Sequence, residues 1–260
     1  MKRKECLAVE RTETAGLPDA AELLDGIPSQ RAAAAAPAPG STAAPVARPA
    51  PVRPRPWRIL PTPTGTPFTF GYAAVLAVTS LVTEYADPGL VHRLLQASST
   101  DVDHLVRTPA LVLPASALWI AGGLLSPYAV GFLLVLTALE RRIGGARTAV
   151  VFLLGHVLAT LATEVPVGLA VLAGHLPDSS LHRLDYGISF GVAASFGALA
   201  GLLRPWLRWP LLAGFGWMLV QDLVAFSDPL SDWGHLFSLV IGVACWPMVR
   251  RWAGVGPGAR

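Results

Sequence analysis

Charge is scarce in this sequence. Only 14% of its 260 residues are charged, whereas an ordinary soluble domain carries about 25%. With 53% hydrophobic residues and a positive mean hydropathy, the composition is that of a membrane protein. Cysteine is nearly absent. Cys6 and Cys245 lie far apart, which excludes a disulfide framework and a cysteine metal module. No metal, nucleotide or haem signature is present either, so no cofactor and no metal are expected. The pI near 9.2 does not imply nucleic acid as a partner, because the basic residues flank apolar runs and need no polyanion to explain them.

The charge that is present is unevenly spread. Residues 1–66 hold 15 of the 37 charged side chains. They also contain the run Ala32–Ala36 and nine prolines between Pro37 and Pro63. Such a segment has too few large apolar residues to offset the entropy of ordering. The expectation is a disordered cytoplasmic tail. No apolar run follows Lys2, Arg3 and Lys4, so this is not a signal peptide. Arg48, Arg53, Arg55 and Arg58 make its end basic, suited to anionic lipid. Residues 67–252 form the membrane domain of this reading, and residues 253–260 a short second tail.

A spanning helix needs ~20 mainly apolar residues. Six runs are candidates: Pro67 to Thr83, the uncharged stretch Ala110 to Leu139, Thr148 to Gly174, Tyr186 to Leu203, Trp209 to Phe226, and Gly234 to Val249. The second is longer than one span needs, so part of it is expected to be loop or re-entrant structure. With six spans, one side receives the first tail, the 140–147 and 204–208 loops and the last tail, with 9, 3, 2 and 3 basic residues. The other side receives only Arg93, Arg107 and Arg183. Counting from Arg48 alone still leaves 12 against 3. The positive-inside rule then puts both termini in the cytoplasm of a multi-pass cell-membrane protein.

Ionisable groups inside spans are costly and are functional candidates. They are His156 and Glu164 in the third run, Asp222 in the fifth, and His235 at the mouth of the sixth. Ser189 lies near the start of the fourth, just after Asp185. The fourth and sixth runs both enter from the external side, so Ser189 and His235 share a shallow depth. Ser189 heads a stripe of small residues, Ala193, Gly197 and Gly201. His235 heads another, Ser238, Gly242 and Cys245. Such stripes let membrane helices approach closely, which would bring a serine within reach of a general base. Set beside this is the structural alternative, in which the serine bonds a carbonyl one turn back and the histidine is interfacial.

Three segments resemble a known family. Gly187-Ile188-Ser189-Phe190, with Gly197 eight residues after the serine, looks like the Gly-x-Ser-Gly entry to the fourth span of rhomboid intramembrane proteases. Gly234-His235 with Gly242 resembles their sixth-span histidine segment, and Leu139-Glu140 with Gly144 resembles the end of their second span. Asp-Tyr-Gly-Ile-Ser-Phe-Gly and Asp232-Trp-Gly-His are most similar to divergent rhomboid-like proteins of actinobacteria.

The resemblance implies an all-α, six-span rhomboid-like bundle. It also implies Ser189 as nucleophile and His235 as general base, acting without a carboxylate on membrane-helix substrates. The chain departs from the family at several places. Sixteen and twelve residues before Glu140, where active rhomboids carry a His-x-x-x-Asn pair, stand Leu124 and Tyr128. Phe190 replaces the glycine after the serine, and Ser238 replaces the first glycine of the sixth-span stripe. Asp185 and Asp232, each about one turn before a dyad residue, either orient the histidine or cap helices. Three functions stay open on these residues: an intramembrane serine protease, a catalytically inactive protein that binds membrane helices, and a transporter using His156, Glu164 and Asp222. The absence of an inverted repeat speaks against the last.

Overall fold

The computed structural model describes residues 59–255. The expectations for residues 1–58 and 256–260 fall outside the described residues. Within them the fold is helical: α1 (Pro67–Tyr85), α2 (Pro88–Ala97), α3 (Val102–Arg107), α4 (Pro109–Ser116), α5, α6 (Gly145–Leu172), α7 (Ser189–Ala200), α8 (Pro205–Ala225), α9 (Pro229–Ala244) and α10 (Trp246–Trp252). Here α5 denotes three abutting segments, Pro127–Gly131, a π-helical turn Phe132–Leu136, and Thr137–Ile143.

Each of the six apolar runs is helical in whole or in part. The long second run is broken, as its length implied. It supplies α4 and α5, separated by a turn in which Gly122 and Gly123 both have φ of 80°. α2 and α3, which the apolar runs do not announce, fold the segment between the first two runs into short helices capped by Asp87 and Asp101. Among the described residues α1 and α6 are long and apolar enough to cross a membrane, and α9 with α10 adds a third such element if its 49° break is counted within one span.

The surface is apolar where a soluble protein's would not be. Val78, Leu81, Val165, Leu169, Trp217 and Val240 are all exposed. Meanwhile Thr160, Thr163, Glu164, His156 and Ser238 are buried. Large outward apolar faces mark a lipid or protein contact, and an inward polar set is what a bundle built in lipid retains.

Two features set the frame. Glu140, buried on α5, accepts hydrogen bonds from the backbone N–H groups of Phe68 and Thr69 at 2.9 and 2.8 Å and from the Thr69 hydroxyl at 2.6 Å. Thr66 at the α1 N-cap makes no side-chain cap bond of its own. A carboxylate from 71 residues further along therefore satisfies donors that the first helical turn leaves open, with its charge against the positive helix end. Gly144 follows with φ of 85°, the left-handed geometry glycine adopts without steric cost. This turns the chain from α5 straight into α6.

The second feature is the position of α7, which packs between α6 and α9. Ten of its twelve residues are buried. A Cβ placed on Gly197 would lie 2.6 Å from the Leu239 carbonyl oxygen, and one on Gly242 would lie 2.0 Å from that of Ala194. The two small-residue stripes therefore meet backbone to backbone, as their spacing implied.

Candidate functional site

Ser189 is the first residue of α7. The chain leading to it is stitched in place by backbone bonds. Thr100 N–H donates to the Asp185 carbonyl at 2.8 Å, Gly187 N–H to that of Ser116 at 2.9 Å, and Ile188 N–H to that of Trp119 at 3.2 Å. His235 lies on α9, about two turns after its Asp228 cap. Ser189 and His235 both line one cavity of about 340 Å³, together with Tyr128, His156, Phe190 and Asp232. Ser189 is half-buried and His235 buried.

The His235 ring is held by aromatic contacts alone. Tyr128 stacks on it at 4.8 Å between centroids with the planes 21° apart, and Phe190 meets it edge-on at 5.3 Å. Among the described residues neither ring nitrogen of His235 has a hydrogen-bond partner, so none joins it to Ser189. The Tyr128 hydroxyl is likewise unpartnered among the described residues.

Leu124 is not part of the site. It is 54% exposed and absent from the cavity wall. The count back from Glu140 assumed one unbroken helix, but α5 begins only at Pro127, behind a Ser126 cap, and contains the π-helical turn. Leu124 therefore sits in the turn before the helix. Phe190 is buried, and its ring lies over Gly234, where a Cβ would come within 2.2 Å of it. The phenylalanine after the serine thus explains the glycine before the histidine.

The other polar candidates have protein partners or lie outside. His156 Nε2 is 3.0 Å from the Leu113 carbonyl oxygen and 2.9 Å from Ser116 Oγ. A carbonyl only accepts, so Nε2 carries the ring proton and ties α6 to α4. Glu164 pairs with Arg183 at 2.8 Å. Arg183 also lies 3.9 Å from Asp185 and 3.5 Å from Asp228, linking the loop before Ser189 to α6 and to the start of α9. Asp222 is exposed. Asp185 accepts the Thr100 hydroxyl at 2.9 Å and so does not orient His235. Burial raises its carboxyl above the usual range, with Arg183 and the Thr100 bond opposing. Asp232 is buried with Oδ2 unpartnered. Ser238 donates to the Gly234 carbonyl one turn back at 2.7 Å.

The family model for rhomboid-like proteins matches residues 64–255. The chain belongs to that family. No curated protein and no solved structure matches it. Membership makes this rhomboid-like protein a membrane protein in a lipid bilayer environment, consistent with its outward apolar faces. Sequence reasoning missed two arrangements that support the site, with Arg183 and Ser116 outside the cavity wall: the Arg183 hub and the Ser116–His156 bond. Arg183 carried a signal, being one of only three basic residues, with Arg93 and Arg107, between the arginine-rich joints and tails. Ser116 carried none, because a serine in an apolar run is ordinary.

Proposed function

We propose that this rhomboid-like protein is a six-span serine hydrolase of the cell membrane, with both termini in the cytoplasm, that cleaves membrane-helix substrates. Ser189 attacks the scissile carbonyl and His235 takes its proton. The observation that carries this reading is that His235, whose two ring nitrogens have no hydrogen-bond partner among the described residues, lines the same cavity as Ser189. A base must be free to accept, and apo dyads are commonly loose. Oxyanion donors come from the first backbone N–H groups of α7, which have no intrahelical partner. Such a donor is typically worth ~10²–10³ in rate.

A second reading, a binder of membrane helices without proteolysis, draws on the exposed Leu124, which leaves the first member of the His-x-x-x-Asn pair of active rhomboids unreplaced, and on the Phe190 ring beside His235. The deciding experiment is labelling of detergent-purified full-length protein with a fluorophosphonate probe. The hydrolase reading expects labelling that Ser189→Ala abolishes and that Phe190→Gly increases. Absence of labelling in both the wild type and Phe190→Gly would overturn the hydrolase reading and favour the binder.

A further inference from the structure

The arginines at the two ends of the bundle meet different company. At the cavity end Arg107 pairs with Asp103 at 2.9 Å and Arg183 with Glu164 at 2.8 Å. At the other end lie the seven arginines of the α5–α6 joint, the α7–α8 joint and α10. Hydrogen bonds join these pieces into one surface, Arg147 to the Trp252 carbonyl at 3.0 Å and Arg250 to that of Gly201 at 3.1 Å. Among the described residues none of the seven forms an ion pair. The carboxylate at this end, Glu140, is buried and committed to α1.

Two of these cations share one ring. The guanidinium carbons of Arg208 and Arg250 lie 5.0 and 5.1 Å from the centroid of Trp246. The indole is itself fixed by its N–H donating to the Gly197 carbonyl at 2.8 Å. Arg208 donates to the carbonyls of Ala200 and Leu203 at 2.9 and 2.7 Å, and Arg250 donates only through Nε. These carbonyls close α7, but a helix C-terminus supplies only about half a negative charge. Two cations exceed that. Nη1 of Arg208 and both Nη groups of Arg250 have no partner among the described residues. Beside them Trp206 and Trp209 are 70% and 59% exposed, and Trp209 meets Trp246 edge-on at 6.2 Å.

We propose that Arg208 and Arg250, held against the Trp246 ring, bind the phosphodiester headgroup of an anionic phospholipid. Preformed guanidinium forks match phosphate oxygens in pairs. Exposed tryptophans next to them suit the glycerol and upper acyl region, where indoles concentrate at a membrane surface. Free phosphate shares the headgroup chemistry, but it has no use for those rings. The site would hold the far end of the helix that begins with Ser189, and it stands whether or not Ser189 reacts.

The test is a thermal-unfolding titration of full-length protein in neutral detergent. The additives are short-chain phosphatidylglycerol, phosphatidylcholine of the same chains, and inorganic phosphate. A ligand that binds the folded state raises Tm with its concentration. Phosphatidylglycerol should raise Tm saturably, and the other two should not. Arg208→Gln/Arg250→Gln should weaken that response on the order of 20-fold, at roughly fivefold for each charge near an anionic surface. Arg141→Gln/Arg142→Gln, with the same change in net charge, should keep it. Equal loss in both double variants, no phosphatidylglycerol response in the wild type, or an equal response to inorganic phosphate would each overturn the proposal. If the first double variant does not fold, Arg250→Gln alone and retention of phosphatidylglycerol over phosphatidylcholine by the wild type in native mass spectrometry decide it by the same criteria.

Discussion

Glu140 combines burial, negative charge and three accepted hydrogen bonds at the start of a helix it does not belong to. Bonds to a charged group contribute about 1.5–3 kcal/mol each when a partner is removed. Glu140→Gln keeps the shape but turns an NH₂ group toward donors, so at least one N–H of α1 loses its acceptor. We expect a loss of about 2 kcal/mol, read as a lower Tm in detergent, with probe labelling of Ser189 falling alongside it. An unchanged Tm would mean that water satisfies the α1 terminus equally well. His235 is the opposite case. Its ring is packed by Tyr128 and Phe190 and its buried nitrogens have no hydrogen-bond partner among the described residues, so its orientation rests on packing.

At the scale of elements, the crossing of α7 and α9 is the most demanding contact. A methyl group on Gly242 would approach a backbone oxygen to 2.0 Å, and backbone gives way less readily than a side chain. Overpacking of this kind costs about 1–3 kcal/mol, occasionally more. Gly242→Ala should therefore destabilise the protein clearly. Gly71→Ala on α1, where nothing lies within 4 Å, should be neutral or gain up to about 1 kcal/mol from helix propensity. Equal Tm values for the two variants would contradict close packing.

This contact was legible in the sequence, because small residues every four positions have few other uses in apolar helices. That Ser189 and His235 line one cavity was legible for the same reason, each standing at the head of such a stripe. Leu124 was misread because no residue type announces a π-helical turn, and one break in α5 changes the face of everything before it. α2 and α3 were missed because their caps, Asp87 and Asp101, look like ordinary loop aspartates. Arg183 was seen as a charge but not as a hub, since its partners are spread from Glu164 to Asp228.

For the whole molecule the charge distribution is the organising fact. The arginine-rich joints lie at one end of the helices, and Arg107, Arg183 and most of the aspartates at the other. Reporter fusions after Arg142, Arg204 and Arg260 should all read cytoplasmic, and a fusion in the 174–188 loop should read external. Two contrary readings among the four would sink the six-span topology.

The long reach of Glu140 also sets a schedule for biogenesis. The first helix leaves the ribosome with its N-terminal donors open, and their acceptor lies 71 residues later. At ~5–20 residues per second that is a wait of roughly 4–14 s. During that interval α1 rests on lipid, water or a chaperone rather than on its own protein. A translational pause placed after α1 has emerged and before Glu140 emerges would lengthen the exposure, and a slow stretch after Glu140 has emerged would not. Synonymous codon changes in that window alone should therefore alter the yield of folded protein while leaving its amino-acid sequence untouched.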